Sequence, residues 1–250
     1  VNIYLTLLRK ELAAFFCSLT GYVIIATVTL LTGASFLMLI RNLGSDPFLL
    51  PVTELFFNSL LFWIIIVLVT PVITMRLFAL EKASGTFETL MTAPVGDLAV
   101  VAAKFTAAML FYLIMWLPTI ACLFIVGRFT NQASALDGGT LEGTCLGICL
   151  SGAFFISLGC FASSLTRNQV VAAMLSLAAG VILIILAYVA QLPNTAQWQT
   201  QLLLFYFNLF KQMEDFTRGA VDTRTVIFYV SLTLLFLFLT LRVVESRRWK

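Results

Sequence analysis

The sequence predicts an all-α polytopic membrane protein with six transmembrane helices, an interfacial helix before the first and an external helical segment before the last. Three observations predict it. Hydrophobic residues make up 61% of the 250 and charged residues only 11%, whereas a water-soluble domain carries roughly a quarter charged residues. The mean hydropathy is +1.03, more apolar surface than an aqueous core consumes. The apolar residues gather into runs at about 19–40, 55–75, 99–126, 143–165, 169–191 and 225–243. Each is near the roughly 20 residues a helix needs to cross hydrocarbon. The chain, 1–250, reads as a single transmembrane domain.

Residues 1–18 come before the first run. Leu5, Leu8, Leu12, Phe15 and Phe16 recur at helical spacing, while Arg9, Lys10 and Glu11 interrupt them. Three consecutive charges are costly in hydrocarbon, so an amphipathic helix in the cytoplasmic interface is expected rather than an extension of the first span. The run after Arg9 and Lys10 is long enough to span and has no clear cleavage site, so it is not expected to be a cleavable signal.

The second and third runs hold Pro71 and Pro118, where local kinks are expected. Between these runs lies the longest polar connection on the inner side, residues 76–98. Lys104, near the inner end of the third run, is expected to snorkel toward water. The fourth and fifth runs are separated only by Leu165, Thr166, Arg167 and Asn168, which predicts a tight helical hairpin. Gly143, Gly147 and Ser151 repeat every four residues, as do Ala172, Ser176 and Gly180. Small residues at this spacing let helix backbones approach in lipid. Residues 192–224 form the longest outer connection. Its LLLFYFNLFKQMEDF stretch is too short and mixed to be a full span, and is expected to be an amphipathic or re-entrant helix.

Orientation follows from Lys and Arg. With the N-terminus inside, ten fall inside (Arg9, Lys10, Arg76, Lys82, Lys104, Arg167, Arg242, Arg247, Arg248, Lys250) and five outside (Arg41, Arg128, Lys211, Arg218, Arg224). The excess places both termini in the cytoplasm. Trp249 and the closing basic cluster suit an interface anchor there. A bacterial inner membrane is the expected location.

Several functions are disfavoured. The net charge of +3 is small and dispersed, with no basic stripe for nucleic acid. There is no histidine, which removes the commonest general base and metal ligand. Cys17, Cys122, Cys145, Cys149 and Cys160 form no CxxC pair, and read as small apolar residues. No HExxH, no GxSxG with a partner His and no P-loop is present, so the chain is not expected to be an enzyme or to bind ATP itself. The acids Glu54, Glu81, Glu88, Asp97, Asp137, Glu142, Glu214, Asp215 and Asp222 fall in connections rather than mid-membrane, which counts against a proton-coupled carrier.

The segment 76–98 carries the main functional signal. Glu81 and Lys82 open a polar stretch and Gly85 gives a turn. Thr86 can cap a short helix with Glu88 in its first turn, where negative charge meets the helix dipole. Phe87, Leu90 and Met91 share one apolar face, and Pro94 ends the helix. Such a helix parallel to the membrane is a docking surface; a solvated loop with a fortuitous cap fits the residues equally well.

The pattern E-K-x-S-G-T-F-E-T-L-x-x-x-P-V from Glu81 to Val95 resembles the signature of type-2 ABC exporter permeases. The likeness extends to the N-terminal LLRKELAAFF, the six spans and the outer helical segment. Residues 216–222 (FTRGAVD), a following span and ESRRW resemble the gliding-motility-associated branch. The resemblance implies a coupling helix built from Glu81, Lys82, Gly85, Thr86, Phe87, Glu88, Leu90 and Pro94, seated on a separate ATPase. It implies a smaller contact at Arg167, and an interfacial helix bearing Arg9, Lys10 and Glu11 nearby. It further implies two ATPase subunits holding ATP and Mg, a second permease copy or paralogue, and no cofactor in this chain. The Phe-rich spans, with 23 Phe in all, suit an amphiphilic or lipid-linked cargo. The competing reading is an ATPase-driven scaffold or mechanotransmission component that works on a periplasmic partner without transport.

Overall fold

The computed structural model describes residues 3–43, 52–57, 59–87, 95–129, 138–191 and 208–248. Among them are ten helices and no strand: α1 (Ile3–Phe16), α2 (Leu19–Leu43), α3 (Val52–Phe57), α4 (Leu60–Thr74), α5 (Ala79–Ser84), α6 (Asp97–Phe129), α7 (Gly138–Leu165), α8 (Gln169–Gln191), α9 (Leu209–Thr217) and α10 (Thr223–Arg248). Six are long and apolar enough to cross a membrane: α2, the stretch Leu60–Ser84 that begins with α4, and α6, α7, α8 and α10. The chain is an all-α polytopic membrane protein, as its hydropathy predicts.

α1 is a separate helix. Cys17 and Ser18 break the chain before α2, and the Ser18 hydroxyl accepts a hydrogen bond from the Gly21 amide. A Cβ at Gly21 would collide with the Phe15 carbonyl, so this corner needs glycine. α1 packs against the start of α6. Phe15 stacks on Phe111 at 4.9 Å, and the Tyr4 and Thr106 hydroxyls meet at 2.8 Å.

The second span begins later than its apolar run suggests. α3 ends at Phe57, and Ser59 then caps α4 by accepting from the Phe62 amide. A side-chain acceptor at a helix start satisfies an amide that has no partner within the helix, so the capping serine splits an otherwise continuous apolar run. Pro71 and Pro118 both lie inside their helices. The last helix runs to Arg248, five residues past its apolar run, and takes Arg247 and Arg248 into its final turn.

α4 and α7 are the most enclosed spans, with 61% and 67% of their apolar windows buried by the chain itself. They form the centre, and α2, α8 and α10 turn most of their surface outward. The core is aromatic. Trp63 of α4 meets Phe155 of α7 and Phe210 of α9, and Phe62 meets Trp116 of α6 at 5.3 Å. Phe154 of α7 packs on Tyr229 and Phe236 of α10.

The hairpin between α7 and α8 is as tight as the sequence requires. Asn168 accepts the Val170 amide, and Arg167 is exposed at the tip. The small-residue stripes do mark close packing, but not chiefly between these two helices. Ala172, Ser176 and Gly180 are the buried face of α8, and Gly180 lies against Val67 of α4. Gly143 and Gly147 of α7 seat the Phe216 and Met213 end of α9. The stripe tells which face is close-packed, and the third dimension chooses the neighbour.

α9 is the described part of the segment expected on the outer side; residues 192–207 lie outside the described residues. It is amphipathic. Leu209, Phe210, Met213 and Phe216 are buried, while Lys211 faces out. Asn208 caps it, and Gly219 at φ 79° turns the chain into α10. Arg218 ties α9 to α3. Its guanidinium is 2.7 Å from the buried Glu54 carboxylate and 2.6 Å from Glu214. The bond to Glu54 raises the guanidinium's proton affinity above the ordinary arginine range. Arg218→Ala leaves Glu54 buried without its partner. The expected result is a lower apparent Tm, moderated because Arg218 itself is half exposed. Thermal unfolding in detergent checks it, and Arg218→Lys is expected to keep part of the stability.

Candidate functional site

The segment that the sequence singles out continues directly from the second span. After Thr74 the chain turns through Met75–Phe78 and re-enters a helix at Ala79. α7 holds this turn. The Ser163 hydroxyl accepts from the amides of Phe78 and Ala79 at 3.2 and 3.1 Å, and donates to the Met75 carbonyl. Amides at the start of α5 that have no partner within the helix are thereby satisfied. Leu77, Phe78 and Ala79 are buried. A solvated loop, one of the two readings the residues allowed, therefore does not describe this stretch. The stretch packs on the bundle because Ser163 supplies the hydrogen bonds that water would otherwise give.

Glu81 and Lys82 follow on α5, and both turn inward. The Lys82 ammonium donates to the Ser164 carbonyl and lies 5.2 Å from the centre of the buried Phe87 ring. Phe87 is thus enclosed by its own chain and is not free to offer an apolar face. Glu81 accepts from Lys104 of α6 at 3.0 Å and from Lys10 of α1 at 3.4 Å, both through Oε1. Lys104 also reaches Glu11 of α1 at 2.8 Å. Its side chain is 3% exposed, so it does not snorkel as expected. Two carboxylates and the Phe78 ring, 5.5 Å away, hold it inside instead. A buried ammonium needs such partners, since desolvation otherwise outweighs any gain.

Lys104 therefore joins three elements far apart in sequence: the N-terminal helix, the helix after the second span, and the third span. Sequence reasoning did not find this junction. A signal for it exists. Lys104, Ala107, Ala108 and Phe111 are spaced as one helical face and all are buried, so small residues beside the lysine allow α1 to lie close.

Past the junction, Gly85 ends α5 in the left-handed region at φ 75°. This is the turn the sequence predicts, and only glycine adopts it without strain. Gly85 and Thr86 are exposed. Thr86 stands in the first turn of the next helical stretch, and its hydroxyl reaches the Glu81 carbonyl at 3.4 Å. Glu88, Leu90 and Pro94 lie outside the described residues. Arg167 is exposed at the same end of the bundle, on the α7–α8 tip. Arg9 and Lys10 are exposed on α1, whereas Glu11 is buried.

A cavity of about 300 Å³ opens beside the junction, between α1, α5 and the start of α6. Among the described residues no group of three or more His, Cys, Asp and Glu side chains could hold a metal ion.

A family model described as ABC-2 family transporter protein matches residues 49–244 of the chain. No curated protein matches it.

Proposed function

The chain belongs to the ABC-2 family of transporter membrane proteins, and from that premise we propose that it is the permease of an ATP-driven exporter, worked by a separate ATPase at the α1 end of the bundle. That the chain is a membrane subunit of an ABC transporter follows from the family. The coupling route is our own reading. One observation carries it: Lys104 ties the third span to α1 and to the helix that leads into the Gly85 turn.

In this reading the exposed Gly85–Thr86 turn and the residues up to Pro94 meet the ATPase, with Arg167 as the smaller contact. Glu81 and Lys82 do not touch the partner. They anchor the contact helix to α6 and α7, so that a displacement at the turn moves the spans rather than bending a loop. ATP and Mg bind the partner, and two permeases face two ATPases. The α1 end is cytoplasmic in a bacterial inner membrane, where ten of fifteen basic residues fall on that side. The aromatic core and the nearly uncharged spans support an amphiphilic or lipid-linked cargo. The likeness to the gliding-motility branch rests on residues 216–222 and the closing ESRRW alone.

Co-purification tests the contact. The chain is expressed with its ATPase and compared with a Gly85→Pro, Glu88→Lys variant. Proline fixes φ near −65°, opposite in sign to the turn observed at Gly85. The ATPase is expected to elute with wild type and to be lost from the variant. Equal recovery from both would move the contact elsewhere. No recovery with wild type would remove the coupling reading.

A further inference from the structure

We propose that the cavity between α1, α5 and α6 is a binding site for the headgroup of an anionic phospholipid. Three cations line it, Lys10, Arg76 and Lys104, against two carboxylates, Glu11 and Glu81. The lining thus carries one surplus positive charge. The carboxylates are not shared evenly. Lys104 has both at 2.8 and 3.0 Å, and among the described residues Lys10 has only the Glu81 oxygen that Lys104 already holds, at 3.4 Å. Arg76 donates to the Thr20 hydroxyl, and among the described residues no carboxylate lies within ion-pair distance of it. Lys10 and Arg76 are therefore the two under-neutralised cations of one cavity.

The surroundings favour a lipid over a free anion. Phe15, Leu77 and Leu80 line the same cavity, and Leu80 is partly exposed. The cavity sits where the stretch Leu60–Ser84 ends and α6 begins, so a bilayer crossed by these helices would bring its headgroups to it. A phosphate there can be held by the guanidinium and the ammonium while its glycerol and first methylenes lie on the apolar wall. The Ser84 and Thr86 hydroxyls, also in the lining, can meet a polar headgroup. A neutral zwitterionic lipid would bring its own cation toward Lys10 and Arg76 and gain less.

The site can be tested without any ATPase, so its failure and the failure of the coupling reading are distinguishable. The full chain in detergent micelles is titrated with phosphatidylglycerol, phosphatidylcholine or inorganic phosphate, and its thermal unfolding is followed. Phosphatidylglycerol is expected to raise the apparent Tm of wild type by about 5 °C, as a ligand selective for the folded state does. Phosphatidylcholine and inorganic phosphate are expected to leave it within about 1 °C. Lys10→Gln, Arg76→Gln is expected to abolish the shift. Arg167→Gln, Arg242→Gln, which removes the same charge elsewhere at that end, is expected to keep it. If the first double variant cannot be recovered, Lys10→Gln alone, at a mostly exposed side chain, is expected to lose at least half of the shift. Equal shifts from the two lipids, an equal loss in the Arg167 and Arg242 variant, or a full shift in Lys10→Gln would each overturn the proposal. A shift with inorganic phosphate alone would make it a free-anion site and overturn the lipid.

Discussion

Lys104→Met is expected to cost the folded chain about 3–5 kcal/mol, the range for breaking a buried ion pair by removing one partner. The side chain stays similar in length and packs against the same Phe78 ring, so little volume is lost. What is lost is the charge that compensates Glu11 and Glu81. Among the described residues Glu81 then keeps only Lys10, at 3.4 Å and mostly exposed. Its second oxygen is already buried, with no hydrogen-bond partner among the described residues. Glu11 loses the one ion pair it makes among the described residues. Thermal unfolding in detergent is expected to show a fall of about 10 °C in apparent Tm. The triple variant Lys104→Met, Glu11→Gln, Glu81→Gln is expected to recover more than half of it, because neutral amides carry a far smaller burial cost than unpaired charges. A triple variant as unstable as the single would mean that packing, not charge, holds the junction. In the transporter the triple variant separates the two roles of the cluster. If the ion pairs transmit displacement, the recovered protein still binds its ATPase and loses ATP-driven transport.

The spans were legible because hydrophobicity over some twenty residues is a local property. The hairpin at Arg167, the turn at Gly85 and the amphipathic α9 were legible for the same reason. Each is set by residues within a few positions of one another. What escaped was long-range. Lys104 finds Glu11 93 residues away, and Arg218 finds Glu54 164 residues away. Nothing in the spacing of either pair announces the other. Lys104 near a helix end looks like a snorkelling residue until α1 is seen to cover it. The start of the second span was misplaced because hydropathy averages over Ser59, whose effect lies in one hydrogen bond. The small-residue stripes show the same limit from another side. Gly143 and Gly147 were picked out by their period, but the helix they admit is α9. Gly152, outside that period, and Gly159, two steps further along it, bring α7 just as close to Tyr112 of α6 and Thr74 of α4.

Gly152→Leu is therefore expected to be among the most damaging single changes in the bundle. A Cβ at Gly152 would stand closer than 3.0 Å to three atoms of the Tyr112 ring. That ring cannot step aside. It is wholly buried, with Trp116 edge-on at 6.0 Å, and Gly152 lies between Ser151 and Phe154, which are buried as well. Real side chains do not tolerate such separations, so α6 and α7 must part. Overpacking of a core usually costs about 1–3 kcal/mol. Here two helix backbones must move, and we expect about 3 kcal/mol or more. The consequence reaches the far end of both helices. α6 carries Lys104, and α7 carries the Ser163 and Ser164 contacts that hold α5. Pushing the two helices apart at Gly152 strains the junction from inside the membrane. The comparison is Gly33→Leu on α2, where nothing lies within 4 Å of the added atom. It is expected to unfold within about 2 °C of wild type. Gly152→Ala is the graded case, with the same collision and a smaller side chain. An apparent Tm falling in the order Gly33→Leu, Gly152→Ala, Gly152→Leu is expected if close approach is what the glycine provides. If Gly152→Leu unfolds with Gly33→Leu, then the contact between α6 and α7 is loose enough to yield, and it cannot be the rigid link through which a push at α5 reaches the spans.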